Sequence, residues 1–337
     1  MIQQAGPPRP WAAGLVLSGV LLLVGVGWAV WPEDPYVARP PSAPGTTEVR
    51  PGEAAAVLER LEQAVADADP AAAGALAPAG SSEAAALLRA VVRNARTIGV
   101  DDFTLRYVDA LGGADEQGRW SATVDTRWRF AGFDAEAAAA EVEFTLDAGA
   151  EGTSIAAVTG PRGHSPVWLS GPVDVRKDAR TLVVAADGAG RYFRTARAAV
   201  PRVSRALPSW RQGLVVEVPD SAAALDAALG AEAGQYAAIA AVTSGVGEES
   251  GPRSPVHVLV NPDVYDELEP LGAQVVMTHE VVHVAAQAAT EPESVPAWLT
   301  EGYADYVALR DVRLPLSVTA AQVIEQVRRQ GPPARLP

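Results

Sequence analysis

The chain has 337 residues, 48% of them hydrophobic and 20% charged, a globular mixture with room for two domains. Its 41 acidic residues outnumber 27 basic ones, and a formal charge of −14 excludes a polyphosphate-binding surface and with it a nucleic-acid partner. Cysteine is absent, which excludes disulfides, thiolate catalysis and thiolate metal sites.

Residues 11–31, WAAGLVLSGVLLLVGVGWAVW, carry no charge. At 1.5 Å per residue they span roughly 30 Å as a helix, the thickness of a bilayer's hydrocarbon core. Trp11 at one end and Trp28 and Trp31 at the other occupy the places of an interfacial aromatic belt. A cleaved signal peptide is the rival reading, but its apolar region is shorter and a small-x-small cleavage site follows it, which is not the case here. Arg9 and the amino group precede the segment, and Glu33 and Asp34 follow it. The positive-inside rule then makes residues 1–10 a cytoplasmic tail and 11–31 a single-pass signal-anchor in the cell membrane, with everything after Pro32 extracytoplasmic. Residues 32–52, with prolines at 32, 35, 40, 41, 44 and 51, read as a semi-extended stalk.

Residues 53–175 open with helical spacing at Ala54, Val57, Leu58, Leu61 and Val65, and again at Leu87, Leu88, Val91, Val92 and Ala95 after Ser81 and Ser82. Strict alternation follows: Phe103, Leu105 and Tyr107, then Trp120 to Phe130, then Val142, Phe144 and Leu146, with a weaker strand at 153–159. Period-two patterning predicts a sheet packed on one face and wet on the other. Two helices before an antiparallel meander resemble the cone-shaped α+β fold of the ketosteroid-isomerase-like superfamily, which implies either a ligand pocket or a packing adaptor.

Residues 177–337 alternate strands and helices. Strands are predicted at 182–186, 214–218, 236–242 and 256–260, and helices at 191–207 (kinked or started afresh at Pro201), 221–229, 272–289 and 297–309. Residues 279–283 read His-Glu-Val-Val-His. On a helix, positions i and i+4 share a face, so His279 and His283 can offer imidazole nitrogens to one metal, and Glu280 can reach a water in its open position as general base. Two histidines need a further ligand, and there is no histidine after His283. Glu301, 18 residues on, lies on a helix that can fold back, and Asp305 one turn later can hydrogen-bond the outer nitrogen of a ligand histidine.

The His279-Glu280-x-x-His283 helix followed by Trp298-Leu299-Thr300-Glu301-Gly302-Tyr303-Ala304-Asp305-Tyr306 is similar to the gluzincin metallopeptidases, particularly the peptidase MA-like families with a W-L-x-E-G-x-A-x-Y signature. The resemblance implies one Zn2+ per chain on His279, His283 and Glu301, Glu280 as catalytic base and Asp305 as support behind the histidine. It also implies an edge strand that binds extended substrate, for which Val256–Val260 is the candidate. The expected fold is therefore α+β: an N-terminal transmembrane helix, a cone-like α+β domain, then a zincin-like metallopeptidase domain. Only 36 residues follow Glu301, so the helical lower lobe common in such enzymes is expected to be short or missing. That lobe often supplies an oxyanion-stabilising Tyr or His. The role here passes to His257, to Tyr303 or to nothing. The expected activity is a membrane-anchored, zinc-dependent metallopeptidase (a hydrolase) acting on a peptide or protein substrate. The alternative is a cell-surface binding or scaffold module that retains zinc with little activity.

Overall fold

The computed structural model describes residues 49–150, 152–247, 254–287, 295–313 and 315–331. The expected tail, the anchor at 11–31 and most of the stalk lie outside the described residues, and among those described no helix is long and apolar enough to cross a membrane. The architecture is α+β.

Helix α1 (Pro51–Ala66) starts inside the segment read as stalk, with Pro51 at its first turn, where a missing N–H costs nothing. A short α2 (Pro70–Gly74) follows, capped by Asp69. Helix α3 (Ser82–Ile98) begins where the Ser81 hydroxyl accepts from Ala84 N at 3.3 Å, and it stops at Gly99, whose φ of +88° suits a residue without Cβ. Then come β1 (Val100–Ala110), β2 (Arg119–Phe130), β3 (Ala138–Gly149) and β4 (Gly152–Gly163), an antiparallel meander in the order β1-β2-β3-β4. The alternation in β2 is realised in burial: Trp120, Ala122, Val124, Trp128 and Phe130 face α1 and α3, while Arg127 and Arg129 stay outside. Pairs such as Trp120 with Leu146 and Ala122 with Phe144 are directly opposite on β2 and β3.

The second sheet holds β5 (Asp174–Lys177), β6 (Thr181–Ala185), β7 (Leu214–Val218), β8 (Ala241–Gly245) and β9 (Val256–Val260), in the order β5-β6-β7-β9-β8. Strand β5 was not legible as a strand, and it places the start of this sheet a few residues before 177. The β6–β7 and β7–β9 pairs are parallel, and β8 runs antiparallel on the outside of β9. Helix α4 (Ala189–Ala206) crosses from β6 to β7 and passes through Pro201 without a break. Helix α5 (Ala222–Ala228) is capped by Ser221. After β9 come α6 (Pro262–Tyr265), α7 (Pro270–Ala286), α8 (Ala297–Leu309), α9 (Leu316–Thr319) and α10 (Ala321–Gln330).

Two expectations about this sheet are corrected. The strand read at 236–242 begins only at Ala241, because Asp226 holds the amides of Gly234 and Tyr236 and Asn261 binds the Tyr236 carbonyl, pulling residues 236–239 into turns. Val256–Val260 is not the edge strand: it lies between β7 and β8, and β8 takes the edge.

The second sheet is buried on both faces. Val183, Ala185, Val216, Val218, Val258 and Val260 pack with α4, α7 and α8, whereas Leu182, Val184 and Val215 join the core of α1, α3 and the first sheet. The two layers thus share one apolar interior rather than meeting as separate bodies, as continuous apolar runs in a mostly parallel sheet require.

Candidate metal centre

Helix α7 carries His279, Glu280 and His283. Pro270 sits in its first turn, and Gln287, with φ +54°, closes it. Met277, Val281, Val282 and Val284 fix its rotation by packing into the core with α4 and the sheet, which leaves the two histidines on the side facing α8. Helix α8 buries Ala304, Val307 and Ala308 and presents Glu301 and Asp305, one turn apart, on its open side.

Three donor atoms converge. Nε2 of His279 and Nε2 of His283 are 3.0 Å apart, and Glu301 Oε2 lies 3.2 Å from the first and 3.5 Å from the second. Asp305 Oδ1 is 2.9 Å from His279 Nδ1. A carboxylate only accepts, so the contact with Asp305 places a proton on His279 Nδ1, which leaves Nε2 as the nitrogen able to ligate an ion beside the other two donors. Donor atoms held this close share either a proton or a cation. Around an ion bonded at about 2.0–2.2 Å, tetrahedral ligands stand roughly 3.3–3.6 Å apart, near the spacing seen here. His279, His283 and Glu301 can therefore hold a metal ion.

Glu280 points to the other side of this group. The Thr243 hydroxyl of β8 donates to Glu280 Oε2 at 2.8 Å, tying the carboxylate to the edge strand. Burial raises the Glu280 pKa above the usual carboxylate value, against the Thr243 hydrogen bond and the neighbouring His279, which pull it down. Burial lowers His283, and Glu301 opposes that shift.

His257 and Tyr303 are not brought to the group. His257 is fully buried, with Nδ1 2.7 Å from Glu217 Oε1 and Nε2 2.9 Å from Asp134 Oδ1, and its ring stacks on Phe130 at 5.4 Å. It shares the face of β9 with Leu259, opposite the face that packs on α7, so the sheet separates it from the metal ligands. The Tyr303 hydroxyl donates to the Ala206 carbonyl at the end of α4, 3.3 Å away. Thr243 was missed, since nothing local in a β-strand threonine signals a contact 37 residues ahead.

Asp305 acts through His279, so Asp305→Ala is expected to weaken binding of a divalent ion by roughly 10–100-fold while the fold is kept, because Asp305 is exposed. A metal titration of the purified chain checks this. Unchanged affinity would mean that the His279 tautomer is set by something else.

No protein-family model, no curated protein and no solved structure matches the chain.

Proposed function

We propose that the protein is a zinc metallopeptidase of the gluzincin kind. The observation that carries this reading is the convergence of His279, His283 and Glu301 beside Glu280, with Glu280 tied by Thr243 to the edge strand of the second sheet. Two imidazoles, one carboxylate and an open fourth position make a catalytic rather than a closed structural donor set, and zinc suits it best. The likeness of residues 279–306 to the gluzincin signature points the same way, as does the layout of β8, α7 and α8, which suits a zincin upper lobe. The helices and meander before it fit a cone-like domain.

Bound zinc supplies a Lewis acid and lowers the pKa of water. Glu280 accepts the proton of the attacking water on its carboxylate and later delivers it to the leaving amine. Its raised pKa, the effect of burial, suits both directions of transfer. Asp305 orients His279 throughout. An extended peptide pairs with the outer edge of β8, beside Glu280. With residues 11–31 as a membrane anchor, this chemistry takes place outside the cell.

The test is a broad peptide library incubated with the purified chain, with and without a zinc chelator. Cleavage that disappears on chelation and returns with zinc is expected. The zinc-retaining binding module remains as a second reading, favoured by one observation: neither His257 nor Tyr303 offers a hydrogen bond at the centre. A zinc-loaded chain that cleaves nothing in the library would establish that reading over the first.

A further inference from the structure

A cavity of about 350 Å³ lies between the two layers, on the face of the second sheet away from α7. Trp128, Pro166 and Val167 wall it from the first layer, and Leu229, Val246 and Leu259 from the second. Glu217 also lines it. Strand β7 is paired on both sides, to β6 and to β9, so the part of Glu217 that reaches the cavity is its side chain. This residue is only 5% exposed.

A buried cluster of ionisable groups stands beside the cavity. Burial pulls the His257 pKa down, but Asp134 and then Glu217 raise it to about 10, which favours the charged ring between two carboxylates. Asp134 is satisfied on both oxygens, by His257 and by the Phe130 amide at 2.8 Å. Glu217 Oε1 takes the other imidazole nitrogen, whereas among the described residues Oε2 accepts no hydrogen bond. Two carboxylates meet one histidine at this wall, and His164 lines the cavity from the loop after β4. Glu217 Oε2 is thus available to a donor in the cavity, whose size is at the lower end of those that hold ligands.

We propose that the cavity binds an alkyl cation, a guanidinium or ammonium on an aliphatic stem, with the charged head on Glu217 Oε2 and the stem against Trp128, Val167 and Leu259. The site needs no metal and no catalysis. It meets the proposed chemistry only through the strand at Thr243, which is at the cavity wall while its hydroxyl turns to the other face of the sheet, to Glu280. An arginine or lysine side chain of a peptide paired with β8 would enter from the strand's inner face, since successive residues of a strand point to opposite faces. A free small cation such as agmatine has the same chemistry.

The test is calorimetric titration of the full chain carrying Glu280→Gln, with and without zinc, using agmatine, an acetylated arginine-containing pentapeptide and the same peptide with citrulline in place of arginine. One of the first two binds, citrulline binds roughly tenfold or more weakly, and Glu217→Gln abolishes the preference. The tighter of the two names the source of the cation. Glu217→Gln disturbs the His257 cluster, so Ala228→Phe, which fills the cavity from α5 and leaves that cluster alone, provides the second variant and also abolishes binding. Equal binding of arginine and citrulline peptides, binding unaffected by either variant, or no binding of any probe at millimolar concentration overturns the proposal, whatever the metal site does.

Discussion

Replacing Glu280 by Gln is expected to lower peptidase turnover by roughly 10²–10⁴-fold while zinc content and melting temperature stay as in the wild type. Glutamine keeps the volume of the side chain and an acceptor for the Thr243 hydroxyl, so the tie to β8 survives. What it loses is the ability to take a proton from water at that position. Glu280 is also not one of the three converging donors, so the metal should remain. Side-by-side measurement of kcat, KM and bound zinc separates the outcomes. A fall in kcat with KM and zinc unchanged supports a base that acts in the reaction. Full activity in Glu280→Gln would sink the proposed mechanism.

The second expectation concerns stability. His257→Gln leaves Asp134 and Glu217 buried without the cation between them, which costs about 3–5 kcal/mol and lowers the melting temperature by on the order of 10 °C. These contacts join the turn after β2 to β7 and β9, so the loss loosens the seam between the two layers. The same group sets a pH dependence. Its folded pKa, about 10, lies above the ordinary value of 6.5. The stabilisation is therefore fully present below pH 6.5, declines above it by at most about 1.4 kcal/mol per pH unit, and is gone once pH rises past 10. Denaturant unfolding of wild type and variant across pH 6–10 checks both effects: the difference between them should shrink as pH rises. A variant that melts within about 2 °C of wild type, or a difference that grows with pH, would contradict a charged His257.

What could be read from the sequence was what local periodicity encodes. Strands β1 to β4 were legible because each buries one face, and the alternation from Trp120 to Phe130 leaves no other register. His279, Glu280 and His283 were legible because helical geometry alone puts them on adjoining positions of one turn. Strand order was not legible. Val256–Val260 reads as an apolar run whether it is central or at the edge, and only the crossing of the chain from β8 back to β9 decides it. The Asp134–His257–Glu217 cluster joins residues 123 and 40 positions apart, with no spacing that could betray it. Its consequence is large: a histidine that looked available for catalysis is spent on holding two layers together.

The decisive measurement is zinc per chain in the purified protein beside Glu301→Ala. Glu301 is exposed on α8, so its removal should leave the fold intact while taking away one of three donors. One zinc per wild-type chain, lost or bound far more weakly in Glu301→Ala, is the predicted result. A folded wild type that takes up no zinc, or a variant that holds it as tightly, would contradict a metal centre built across α7 and α8.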